Sequence, residues 1–296
     1  MDWDKLRIFH AVAEAGSFTH AGERLNLSQS AVSRQISALE NSLKVPLFHR
    51  HARGLVLTEQ GDLLYRTAHD VFGKLAMAEA MLTDSKERPR GELRISTTVA
   101  FGSTWLAPRL DEFLETYPDI EVHLILTDRS LDLSMREADL AIRMTPPTQA
   151  ELIQRHLLTV HVHVFASPGY IKRHGMPATP EDLDDHRVIV YGHDSSPPVP
   201  DVNWLLRLGR PANDLRQPSL TVNNVYAIMR AIQSGSGLGA LPDFMAQNND
   251  ELVRVLPDLD GPRIDAYFVY PEELRASKRI SVFRDFLLRK VAESRF

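Results

Sequence analysis

LNLSQSAVSRQISALENSL, residues 25–43, has the period of a single helix and two unlike faces. Val32, Ile36, Leu39 and Leu43 recur at helical spacing and predict a buried seam. The opposite face holds Gln29, Ser30, Ser33, Arg34 and Ser37. A solvated helix face usually carries Lys and Glu; short hydroxyls, one amide and one guanidinium suit contact with something close by. Ser28, just before the seam, is placed to cap this helix.

Upstream, Leu6, Phe9 and Ala13 put an apolar face on a first helix that Gly16 ends. Ser17 suits the N-cap of a second helix carrying Phe18, Ala21 and Leu25. The short turn Asn26-Leu27 then leads into residues 28–43, which gives a helix-turn-helix. Downstream, LFHRHARGLVLT has extended arms around Arg53-Gly54, the pattern of a small β-hairpin or wing. In a DNA-reading helix of this kind Gln pairs with adenine, Arg with guanine and Ser with either, so Gln29, Ser33 and Arg34 are the base-edge candidates. Ser28, Ser30 and Ser37 suit phosphate contacts. The competing reading is a solvated helix beside an ordinary hairpin.

From Thr58, itself a cap, a long helix carries Leu64, Ala68, Val71, Leu75, Ala78 and Leu82 at alternating spacings of four and three. That heptad seam predicts pairing with a second copy of the helix, and the alternative is a helix docked on its own domain. KERPRGE, residues 86–92, reads as a hinge. The 296 residues are 43% hydrophobic and 25% charged, with a formal charge of −5, which suits ordinary globular domains. Charge is uneven: residues 16–58 hold five Arg and Lys against two Glu, a balance of +3, whereas 22 basic and 28 acidic residues from position 91 onward give −6. One small region is therefore suited to phosphate. Cysteine is absent, which excludes disulfides and thiolate chemistry, and neither an apolar run of membrane length nor a leader-like N-terminus occurs. A cytoplasmic protein with no membrane partner is expected.

Beyond the hinge, strands and helices alternate. LRISTT, IEVHLIL and ADLAIRM read as strands around a helix over Ser103 to Tyr117. VHVFAS, RVIVY, SLTV and LGALP repeat the pattern with helices at Pro168 to His174 and Asn224 to Ser234. IDAYFVY and a helix from Ser277 to Glu293 close the chain. The pattern predicts two α/β lobes joined by crossing strands, with a ligand cleft between them. Thr97 and Thr98 with Ser103 and Thr104, and Asn223 with Asn224, sit where strands run into helices. There, amides and the helix dipole favour an anion or a polyoxygenated small molecule. Ser103 and Asn224 are equally well read as plain N-caps. Arg143 suits either a ligand carboxylate or an acidic neighbour, and Tyr191 and His193 are further cleft candidates. SGSGLGALP has the wrong spacing and context for a dinucleotide loop. His161 and His163 share a strand face, but no Cys or carboxylate close in sequence completes a metal set. No Walker loop, nucleophile elbow or zinc-protease motif is present, and nothing in the sequence calls for a cofactor or catalytic residue.

AGSFTHAGERLNLSQSAVSRQISALENSLKVPLFHRHARGLVLTEQG resembles the DNA-binding signature of LysR-type transcriptional regulators, and the two-lobed remainder fits that family over the whole chain. Ser30 stands where the family often has Pro, and Lys44 where it usually has Gly at the left-handed end of the third helix. The resemblance implies a winged helix-turn-helix over 1–58, a linker and dimerisation helix over 59–86, a hinge at 87–92 and a periplasmic-binding-protein-like effector domain over 93–296. Lobe I would cover about 93–165 and 266–296, and lobe II about 166–265. By the same resemblance Arg50 and Arg53 lie along phosphates or enter the minor groove, and the two strand-to-helix junctions flank a small-molecule effector. The implied partners are promoter DNA, RNA polymerase and further copies of the chain, as a homodimer assembling to a homotetramer. A solute-binding protein would explain the lobes but not the first ninety residues. An enzyme would explain a cleft, but no nucleophile with a base and no paired carboxylates accompany it.

Overall fold

The computed structural model describes the chain apart from residues 1, 52–53, 84–87, 148, 150, 193–196, 212, 248 and 295, and without the side chains of 50, 51, 54, 73, 74 and 76–83. It divides into two compact units, Met1–Leu82 and Thr83–Phe296.

In the first unit α1 (Trp3–Ala15), α2 (Phe18–Leu25) and α3 (Gln29–Leu43) precede a hairpin of β1 (Phe48–His51) and β2 (Gly54–Leu57), and α4 (Glu59–Thr83) follows. Local chemistry explains the sharp corners. Gly16 ends α1 at φ 59°, and Asn26 ends α2 at φ 53°. Gly22 has no side chain to spare: a Cβ there would lie 2.6 Å from the Leu27 carbonyl oxygen, so the turn between α2 and α3 closes only on glycine. Phe9, Ala21, Val32, Ile36 and Leu39 are fully buried, as the period predicts, together with Val12, which the period passed over, while Ala13 and Leu43 are only half-buried against this core. Thr58 fastens the start of α4: its hydroxyl donates to the Pro46 carbonyl at 2.8 Å and accepts the Gly61 amide at 2.9 Å.

The second unit has one mixed sheet. Its strands are β3 (Gly91–Thr97), β4 (Ile120–Leu126), β5 (Leu140–Arg143), β6 (Leu152–Ala166), β7 (Val188–Tyr191), β8 (Leu220–Val222), β9 (Leu238–Pro242), β10 (Val253–Val255) and β11 (Arg263–Pro271). The order is β4-β3-β5-β11-β6-β9-β7-β8, with β10 also on β6. Strand β6 joins the halves. Its residues up to His161 pair antiparallel with β11, and Val162–Ala166 pair instead with β9 and β10. The lobes therefore part near His161 and near Arg263, a few residues from the boundaries expected. Strand β3 starts at Gly91, inside the stretch read as a hinge.

Helices cover the sheet: α5 (Val99–Phe101), α6 (Leu110–Thr116), α7 (Pro168–His174), α8 (Val225–Gln233), α9 (Asp243–Ala246) and α10 (Lys278–Ala292). Phe113 of α6 packs at 5.2 Å against both Phe283 and Phe286 of α10. Truncating such a fully buried ring costs about 3–5 kcal/mol, so this contact anchors lobe I.

Candidate functional site

Ser28 caps α3 by accepting the Ala31 amide at 3.2 Å, and its hydroxyl lies 3.1 Å from that of Ser30. Capping engages the Ser28 oxygen but leaves Gln29, Ser30 and Arg34 exposed, with Ser33 and Ser37 half-buried beside them. Arg34 lies along its own helix, its Nε donating to the Ser30 carbonyl at 3.3 Å. Gln35, passed over in the sequence, is also exposed on α3 beside Arg34. Lys44 ends the helix at φ 55°, so the left-handed position usually given to Gly is kept at a cost of roughly 1–2 kcal/mol. Glu40 ties α3 to the hairpin, its Oε1 accepting the Leu47 amide at 2.7 Å and that of Phe48 at 3.3 Å. The Arg50 side chain and Arg53 lie outside the described residues.

In the second unit a cavity of about 320 Å³ opens between the lobes, lined by Thr98, Ala100, Asp128, Met144 and Thr145 on one side and Val199, Trp204, Val225 and Phe244 on the other. Its floor is the crossing region of β6 and β11, at Val160, Val162, Ile264 and Tyr267. Asp128, in the loop after β4, holds the wall together. Its Oδ1 accepts the Val99 amide at 3.1 Å, and its Oδ2 lies 3.5 Å from the Tyr191 hydroxyl of lobe II. Burial pushes the Asp128 carboxyl above its ordinary pKa against those two hydrogen bonds. Burial likewise pushes Tyr191 up to about 12, and the Asp128 charge adds to it.

The expected junction residues divide. Thr98, not Ser103, starts the first helix, with its hydroxyl accepting the Phe101 amide at 3.4 Å. The helix thus begins at Val99 and passes through a π-helical turn, Gly102–Leu106, that contains Ser103. Ser103 is no N-cap, and the Thr104 hydroxyl is engaged by the Ala100 carbonyl at 2.7 Å. Gly102 is internal to the helical run, and a Cβ there would lie 2.1 Å from the Leu126 side chain. Thr97 is buried, its hydroxyl without a partner among the described residues, against a small crevice that Arg143 also lines. Arg143 braces a loop, donating to the Leu131 carbonyl at 2.6 Å and to Gln149 at 3.3 Å. Burial lowers its pKa. Asn224 caps α8 through the Ala227 amide at 3.0 Å, Asn223 is exposed, and His193 lies outside the described residues.

The family model described as "LysR substrate binding domain" matches residues 86–292, and "Bacterial regulatory helix-turn-helix protein, lysR family" matches residues 3–62. The chain belongs to the LysR family of transcriptional regulators. An HTH-type transcriptional regulator of Xanthomonas campestris pv. campestris is 33% identical over 297 residues, covering 98% of this chain and 86% of that protein. The structure of CrgA, a LysR-type regulator from Neisseria meningitidis, is 29% identical with a TM-score of 0.62, over 98% of this chain and 99% of that one. The Vibrio cholerae virulence activator AphB is 28% identical with a TM-score of 0.66, over the same shares of the two chains. The likeness extends over both units, so this LysR-type chain is a transcriptional regulator with a DNA-binding domain and an effector domain, and its family is one of regulators rather than enzymes.

In this LysR-type chain the α4 seam is divided. Ala68 is 1% exposed and, with Leu64, Tyr65 and Phe72, belongs to the core of the first unit. Tyr65 and Phe72 lie off the heptad positions and widen the apolar stripe, so the first turns of the seam dock on their own domain. Val71 and Leu75 stand 38% and 46% exposed, while the side chains of Ala78 and Leu82 lie outside the described residues. His10, Glu14 and His69 bring ligand atoms within 4.8 Å of one another, a grouping that their separation in sequence hides. It is satisfied as it stands: His10 Nε2 lies 2.8 Å from His69 Nδ1, and Glu14 pairs with Arg24 at 3.1 Å. His163 bonds to Asp243 at 2.6 Å, and His161 faces Arg263 across the strands. Among the described residues no helix is long and apolar enough to cross a membrane.

Proposed function

We propose that the regulator reads promoter DNA in the major groove through Gln29, Ser33 and Arg34, with Ser30 and Ser37 on phosphate, and that a small molecule in the interlobe cleft sets how its winged helices occupy and bend that DNA. The observation that carries the first part is the exposed Gln29 and Arg34 at the N-terminal end of a capped helix that follows a tight turn. An amide and a guanidinium are the groups that pair bidentately with base edges there. Ser28 serves as the cap, and Arg50 and Arg53 extend the contact along the backbone. For the second part, the cavity sits where lobe I and lobe II meet on strands they share, so a ligand that binds one relative arrangement of the lobes more tightly shifts the population. Thr98 and Asp128 stand on its wall; Thr97, Arg143 and Tyr191 support it from behind.

Val71 and Leu75 supply the free part of a dimer seam, continued by Ala78 and Leu82. Dimers pair into a homotetramer that meets RNA polymerase at a cytoplasmic promoter. A gel shift with duplex DNA from upstream of the regulator's own gene tests the reading. A discrete complex that an unrelated duplex of equal length fails to displace supports it, and equal displacement by both duplexes sinks it.

A further inference from the structure

We infer that the interlobe cleft selects a small, largely apolar organic cation, held by the Asp128 carboxylate, rather than an anion. The inference deepens the effector reading and rests on the cleft being the effector site.

The place where an anion would be received already holds one, the Asp128 carboxylate. An incoming carboxylate would seek the free amides at the start of the first helix of lobe I. Here Asp128 takes the Val99 amide at 3.1 Å and Thr98 takes that of Phe101 at 3.4 Å. At the second junction Asn224 takes the Ala227 amide at 3.0 Å. A ligand carboxylate entering beside Val99 meets the protein's own carboxylate, which already holds that amide, and must give up water against a like charge.

Among the described residues Asp128 has no cation of its own. The other two acids on the cavity wall are partnered: Asp201 pairs with Arg207, and Asp265 accepts from the Thr159 hydroxyl at 2.7 Å and lies 3.2 Å from His156. Asp128 has one amide and one long tyrosine contact, and no Lys, Arg or His among the described residues stands within ion-pair distance. Its charge is half-buried, where a counter-charge is worth more than in water. An arriving ammonium or amidinium group supplies that counter-charge.

The rest of the wall suits the body of such a ligand. Val160, Val162, Pro242 and Ala240 are aliphatic, and the aromatic residues Phe244 and Tyr267 also line the cavity, a residue type that tolerates a nearby cation. The one basic residue lining the cavity among the described residues, Arg263, is exposed, so water screens it. The cavity, about 320 Å³, lies in the size range of small-ligand sites.

Three probes of one shape and different charge test this on the full chain by calorimetry: 2-phenylethylamine, 2-phenylethanol and 3-phenylpropanoate. The amine is expected to bind at least about tenfold more tightly than the carboxylate. Asp128→Asn should remove that advantage while leaving the alcohol's affinity unchanged, and Asp128→Glu should keep it. The assignment is overturned if the carboxylate equals or exceeds the amine, if the amine fails to bind, or if a folded Asp128→Asn binds it as before. Should Asp128→Asn not fold, the ranking of the three probes on the wild type decides. Thr145→Trp and Val225→Trp, filling the cleft from opposite walls, separate the two levels of the argument. If the carboxylate binds best and both fillings abolish it, the cation preference falls and the cleft stands. If amine binding survives both fillings in folded variants, the cleft reading itself fails and takes the cation assignment with it.

Discussion

His10 Nε2 lies 2.8 Å from His69 Nδ1, a hydrogen bond that joins the first helix of the DNA-binding unit to its long helix. His10 is packed between Tyr65 and Phe72, with Glu14 on its own helix and Arg24 near by. Burial holds its pKa below the ordinary value of 6.5, with help from the nearby His69 and Arg24 and against the pull of Glu14. The fold therefore prefers neutral His10, and below about pH 6.5 the unfolded chain binds more protons than the folded one. The contribution is complete above the unfolded pKa and is lost as pH falls toward the folded value. Thermal unfolding at pH about 7.5 and about 5.5 should show a drop on acidification that His10→Phe reduces. Parallel losses in the two proteins would exclude His10 as the cause.

Arg34→Ala should weaken binding to the preferred duplex by about 1–3 kcal/mol and relax the sequence preference. Arg34 is exposed and its only described bond is to its own helix, so circular dichroism should be unchanged. Anisotropy titrations that give the folded variant wild-type affinity would remove Arg34 from the interface.

The DNA-binding unit was legible because its cues are local. Ser28, the Val32–Ile36–Leu39 seam and the Asn26 turn all act within a few residues of one another. The cleft was not. Asp128 meets Val99 29 residues upstream and Tyr191 63 residues downstream, and only the parallel pairing of β3 with β4 and the shared strand β6 bring them together. Ser103 reads as a cap because it stands at the start expected for the helix, whereas the helix begins four residues earlier, at Val99. In the fold Gly102 is a helical position packed closely against the side chains of Leu126 and Thr97. The α4 seam misled for a related reason: the heptad positions were legible, but the docking of Tyr65 and Phe72 beside them depends on where α1 lies.

Leu75→Asp should separate dimers, because a charge in an apolar seam must be buried unpaired or keep the helices apart. Leu75 is 46% exposed within its own unit, so the chain itself should stay folded. Light scattering that reports the parent mass for the variant would place the assembly surface elsewhere.

Asn203 acts as a strand partner for the buried Tyr191, accepting its amide at 2.9 Å and donating to its carbonyl at 2.8 Å. These bonds fasten the loop of Val199 and Val202, which lines the cavity, to β7. Asn203→Ala strands both backbone groups and should cost about 1–3 kcal/mol of stability, read as a lower midpoint in urea. An unchanged midpoint would show that the loop is held by its apolar contacts alone.

The most direct test of the account is the ratio of affinities for duplex DNA from upstream of the regulator's own gene and for a scrambled duplex of the same composition, measured by anisotropy at physiological salt. Specific readout by α3 predicts a ratio of at least about 10³, falling by roughly tenfold or more in Arg34→Ala. A ratio near one, with both affinities falling alike as salt is raised, would contradict it and leave only a basic surface that binds phosphate without reading sequence.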